Sequence, residues 1–96
     1  RDDEKNRSTM ATVWIPPLLR DLTAGAQSVV VPGETVRELI AALDARYPGL
    51  ADRLIEEGAL RRGLVLMVDG VTSRQGLRTR VRPESEVHFV PAIGGG

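Results

Sequence analysis

The chain has no cysteine and a single histidine, His88. The first absence removes disulfides, thiolate metal ligands and a thiol nucleophile. The second leaves a zinc site short of the several nitrogen or sulfur ligands it needs, so no metal is expected. Net charge is missing too, because 13 basic residues balance 13 acidic ones. A nucleic-acid binder ordinarily carries a basic excess, and that class is not expected. No apolar run approaches the roughly 20 residues that span a bilayer. No early segment has the charged, apolar, then small-residue order of a secretory signal. The expected location is therefore cytoplasmic, with no membrane partner. With side-chain catalysts this scarce, a chain terminus becomes a candidate for any chemistry.

What remains is 96 residues, 42% of them hydrophobic. That suits one globular domain with a modest core. Arg1 to Thr9 contains no apolar residue and reads as a disordered lead or an expression remnant, with Met10 the expected start. Residues 10–93 form the expected domain and 94–96 a flexible glycine tail.

Within the domain, "ATVWIPPLL" alternates Val13 and Ile15 with Thr12 and Trp14, the period of a strand, until Pro16 and Pro17 end its pairing. "LTAGAQ" turns at Gly25, and "SVVVP" is a second strand, so the two predict a hairpin. "TVRELIAALDARY" places Val36, Leu39, Ile40, Leu43 and Tyr47 on one helical face. Thr35 and Glu38 have capping-box spacing, and Pro48-Gly49 stops the helix. "LADRLIEEG" predicts a shorter helical segment that ends at Gly58. "GLVLMVDG" is a nearly continuous apolar strand before an Asp69-Gly70 turn.

"VTSRQGLRTRV" shows no long period, with Val71 and Leu77 as candidate anchors. "RPESE" turns, and "VHFVPA" is the last strand, with Val87 and Phe89 on one face and His88 and Val90 on the other. One amphipathic helix needs one apolar sheet face. The prediction is an α+β, two-layer domain.

Three features lie outside that core. Trp14, His88 and Val90 fall on the sheet's open face, where they either cover a core edge or form a partner interface. Arg78, Arg80 and Arg82 alternate along the chain, which reads as a solvated edge that resists strand-to-strand aggregation. The end of the chain, "VPAIGGG", runs from the last strand through Pro91 and Ile93 into Gly94, Gly95 and Gly96 with no flexible spacer. Glycine lets other groups approach the backbone closely, so such a tail can enter a slot that any side chain would block. It reads either as a frayed end or as a working carboxylate.

The run "DGVTSRQGLRTRVRPESEVHFVPAIGGG" carries a D-G turn, a spacer, an acidic turn and E-V-x-φ-φ-P-x-φ-x-G-G, where φ is apolar. With "VWIPPLLRDLTAG", it resembles the ubiquitin-like sulfur carriers of the MoaD/ThiS family. These are the molybdopterin synthase small subunit, the thiamin sulfur carrier and, above all, the carrier of a cysteine-forming route. The resemblance covers about Ala11 to Gly96. Its acidic turn departs from the usual D-G-D/E, and Gly94 stands where a side chain is common.

The resemblance implies a β-grasp fold with a mixed sheet on one main helix. It implies that the chain is a carrier and not an enzyme. An adenylating, E1-like partner would spend ATP to activate the Gly96 carboxylate, a sulfur donor would displace AMP, and the thiocarboxylate would pass sulfur to an accepting synthase. Gly94 and Gly95 would give reach, and Trp14, His88, Val90, Pro91 and Ile93 would meet the partner. This chain has no phosphate loop, so nucleotide would be held by the partner and no cofactor by the carrier. Two other readings share the fold: a protein modifier joined through Gly96 to lysines, and a binding module with an inert tail.

Overall fold

The computed structural model describes residues 10–92. The expected lead, residues 1–9, and Ile93, Gly94, Gly95 and Gly96 lie outside the described residues. In chain order the elements are β1 (Met10–Trp14), a single 3-10 turn (Pro17–Leu19), β2 (Ser28–Pro32) and the main helix α1 (Val36–Arg46). The short helix α2 (Leu50–Leu54) follows, then β3 (Ile55–Glu56) and β4 (Ala59–Leu60). The chain continues through β5 (Leu64–Val68), β6 (Val71–Ser73), a second 3-10 turn (Gly76–Arg78) and β7 (Glu86–Pro91). Five strands form one sheet in the order β2-β1-β7-β5-β6, while β3 and β4 pair apart from it. β1 runs parallel to β7 and the other pairs are antiparallel, so the sheet is mixed.

The alternation in β1, continued by the residue after it, sends Ala11, Val13 and Ile15 inward, each 2% exposed or less. Val29 and Val31 of β2, Leu66 of β5, and Val87 and Phe89 of β7 join them from neighbouring strands. Helix α1 answers with Val36, Leu39, Ile40 and Leu43, all buried, at the spacing of one helical face. Each such side chain, fully buried, contributes about 1.5–3 kcal/mol. The helix starts as its capping box predicts: the Glu38 amide donates to Thr35 Oγ1 at 3.3 Å. The Glu38 carboxylate reaches one residue further back than expected and accepts from the Glu34 amide at 2.8 Å. Tyr47 is the C-cap, half-buried and packed against the core, and closes the apolar face of the helix.

Two segments differ from the sequence expectation. The helix expected to run to Gly58 ends at Leu54. Beyond it, Ile55 and Glu56 pair with Leu60 and Ala59 around a turn at Glu57 (φ 54°) and Gly58 (φ 80°). Burial of Leu54 and the Arg61 amide donating to its carbonyl at 2.8 Å favour that hairpin over another helical turn. The segment after Gly70 contains a short edge strand, β6. Leu77 does anchor it, buried in the core, but Val71 lies at the sheet edge with 68% exposure and anchors nothing. The Asp69-Gly70 connection is the two-residue hairpin turn expected, with positive φ at both residues. Arg78, Arg80 and Arg82 are all exposed, because Thr79 and Val81 between them turn toward the core.

Candidate functional site

The site is organised by β7, whose two neighbours are β1 and β5. Its start is held firmly. The Asp69 carboxylate accepts from the Glu86 amide at 2.8 Å and from Ser85 Oγ at 2.9 Å, tying the β5–β6 turn to the first residue of the strand. Its far end is freer. β1 accompanies β7 only as far as the Trp14–His88 pair, whereas β5 continues to the Leu64–Pro91 pair. The Ala92 amide donates to the Gly63 carbonyl at 2.7 Å. By alternation the Pro91 nitrogen faces the flank that β1 has left, where a missing N–H breaks no ladder. Ala92 is thus pinned to the sheet.

Beside that exit the outward residues of three strands meet. Trp14 and His88 are register partners on β1 and β7, and their rings stack with centroids 5.6 Å apart and planes 4° from parallel. A stacked pair adds about 0.5–1.5 kcal/mol beyond its buried area. Trp14 Nε1 donates to Glu86 Oε1 at 3.2 Å, which fixes the indole edge. On the other side His88 faces Met67, and Val90 faces Val65. Trp14, His88 and Val90 are each half-buried. They and Pro91, which is exposed, line a shallow hollow of about 230 Å³ together with Pro16, Pro17 and Arg20.

The structure therefore brings together four of the residues expected at a partner interface: Trp14, His88, Val90 and Pro91. Ile93, Gly94, Gly95 and Gly96 lie outside the described residues. Three further residues belong to the same face and were not singled out by the sequence: Val65, Met67 and Arg20. Alternation within "GLVLMVDG" separates Val65 and Met67 from Leu64, Leu66 and Val68, but only the β5–β7 pairing shows that they adjoin His88 and Val90. Arg20 arrives from the 3-10 turn, its side chain held by a hydrogen bond to the Ile15 carbonyl at 3.1 Å.

Comparison with known proteins follows this geometry. Residues 13–96 match the model of the ThiS family. The chain belongs to the ThiS family. The match takes in the end of β1, all of β7 and the three terminal glycines, and with the relatives below it shows a MoaD/ThiS-type sulfur carrier with a β-grasp, ubiquitin-like fold. The sulfur carrier protein CysO of Mycobacterium tuberculosis is 36% identical over 90 residues, which cover 88% of this chain and 97% of that protein. A chain in the crystal structure of the Amycolatopsis orientalis BexX/CysO complex superposes with a TM-score of 0.82 at 35% identity, covering 90% of this chain and 99% of its own. The small archaeal modifier protein 1 of Methanosarcina acetivorans superposes with a TM-score of 0.74 over 93% of this chain and 98% of its own. At 24% identity that likeness shows the fold alone.

Proposed function

We propose that this ThiS-family chain carries sulfur on its C-terminal glycine, Gly96. A carboxylate is a poor electrophile. Adenylation by a partner enzyme converts it to an acyl-adenylate and releases pyrophosphate from ATP. Hydrosulfide then attacks the carbonyl carbon, AMP leaves with the bonding electron pair, and a thiocarboxylate remains. That sulfur is nucleophilic and passes to an acceptor held by a biosynthetic synthase. The chain supplies no catalytic side chain to these steps; it acts as a protein co-substrate. Gly94 and Gly95 carry the carboxylate away from the domain and into a narrow partner site.

The observation that carries this reading is the family match, which extends over residues 13–96 and so takes in the terminal glycines. The pinned Ala92 amide supports it, because a chain anchored at the last described residue has less freedom to lose on docking. The half-buried face of Trp14, His88 and Val90 supports a docking surface beside that exit. The Amycolatopsis relative, crystallised in a complex with BexX, is a precedent for a carrier that meets a protein partner.

The test is mass spectrometry of the protein after incubation with its activating enzyme, ATP and sulfide. The full chain is expected to exchange one oxygen for sulfur. Deleting Gly95 and Gly96 shortens an extended tail by roughly 7 Å. A 1 Å misplacement can already cost on the order of 100-fold in rate, so the deletion is expected to abolish loading while leaving thermal stability unchanged. Wild-type loading of the truncated chain would end the carrier reading. Isopeptide-linked adducts in native cells, without the thiocarboxylate, would replace it with the modifier reading.

A further inference from the structure

Pro16, Pro17 and Pro91 separate the hollow beside Trp14 from a larger cleft of about 510 Å³ on their other side. The larger cleft has an apolar interior and a cationic rim. Leu19, buried, and Leu64, half-buried, contribute to its lining, and Leu18 stands beside them with 85% exposure. Arg53 from α2 and Arg61 and Arg62 from the β4–β5 connection bring three guanidinium groups to it. The position of Arg61 is set: its amide donates to the Leu54 carbonyl at 2.8 Å and its Nη2 to the Asp52 carbonyl at 2.8 Å.

No aspartate or glutamate lines the cleft. Among the described residues none of the three arginines is ion-paired, whereas Arg80 lies 4.0 Å from Glu34. The whole chain has no net charge, so this trio is a local excess. The lining contains no aromatic ring on which a nucleobase could stack.

We propose that this cleft docks an acidic segment of a partner protein. An apolar side chain of that segment sits against Leu18 and Leu19 while its carboxylates meet Arg53, Arg61 and Arg62. Guanidinium–carboxylate pairs fix the register of the segment, and the leucines supply the desolvated contact. Because Pro91 borders the cleft, a segment bound there holds its owner at the base of the tail. The groove stands on its own lining and does not depend on what the tail carries.

The probe is a fluorescein-labelled peptide in which leucines alternate with aspartate and glutamate. One control replaces its leucines by serine and another replaces its acids by lysine. Fluorescence anisotropy at low salt is expected to show saturable binding of the first peptide alone, weakened by added salt. Arg61→Glu/Arg62→Glu, Arg53→Glu and Leu18→Ser are each expected to weaken it about tenfold or more. Arg53→Glu disturbs no hydrogen bond among the described residues, so it keeps the test valid if reversal at Arg61 disturbs the fold. Amide NMR shifts on titration are expected at Leu18, Leu19 and Arg61 to Leu64. Four outcomes overturn the proposal: no saturable binding, undiminished binding to all three variants, equal binding of the lysine peptide, or shifts confined to Trp14 and His88. Self-association that the charge reversals abolish would also overturn it by assigning the cleft to a second copy. Sulfur loading measured on the same samples keeps the two readings apart. Loading without peptide binding removes the groove alone, and binding without loading removes the carrier alone.

Discussion

The two faces of the five-stranded sheet are built from the same strands, one residue out of step. The inner face is wholly aliphatic except for Phe89, and its members are at most 5% exposed where β1, β2 and β7 pass under α1. The outer face mixes Thr12, Trp14, Val30, Met67, His88 and Val90, and Val30 is 50% exposed. A period of two keeps these sets apart, and a one-residue slip would exchange them. The inner set stabilises the fold by removal from water. The outer set leaves a half-covered apolar surface with polar tips, the composition that suits a contact made and released. Substitutions on one face should therefore change stability, and on the other affinity.

The largest separation is expected from Leu43→Ala. Leu43 has no exposed surface and faces the inner strands, so its truncation should cost about 2–5 kcal/mol in chemical denaturation. Affinity of the remaining folded protein for the proposed activating enzyme should hold. A near-zero shift in the denaturation midpoint would remove Leu43 from the core.

Next come Trp14→Ala and Val90→Asp on the outer face. Each should weaken binding to the proposed activating enzyme by about 2 kcal/mol in titration calorimetry. Folding should lose less, about 1 kcal/mol for the tryptophan stack. Unchanged affinity with an intact fold would move the interface off this face.

The smallest effect is expected where the register itself is set. Asp69→Asn keeps a residue that tolerates the positive φ of 53° but weakens the carboxylate's two hydrogen bonds to Ser85 and Glu86. A cost of about 1 kcal/mol is expected in thermal unfolding, with both faces otherwise intact. A loss comparable to that of Leu43→Ala would mean that this turn, more than the alternation, holds the faces apart.

Much of the fold was legible because local signals agreed with it. The Thr35–Glu38 cap, the 3.6-residue period of α1 and the two-residue period of β1 and β7 all predict what forms. Where elements are only two or three residues long, no period exists to be read. β3, β4 and β6 owe their form to tertiary partners: Leu54 must be buried, Glu57 and Gly58 reverse the chain, and Ser73 meets Thr79 at 2.7 Å. The site divides the same way. Trp14 and His88 share a face by alternation, but Met67 joins them only once β5 is known to lie beside β7. The arginine trio could not be read from spacing at all, because Arg53 and the Arg61–Arg62 pair come from different elements.

The parallel pairing of β1 with β7 has a consequence for how the protein is made. The first strand lies between β2 and the last strand, so the centre of the sheet stays open until β7 arrives. Contacts between residues near 13 and 87 are among the most distant in the chain, and such contacts form late because their loop closure must come first. A nascent, nicked or partly unfolded copy lacks the central strand and with it the anchored Ala92. A finished copy is thereby told apart from an incomplete one by whether the Ala92 amide is held against the Gly63 carbonyl.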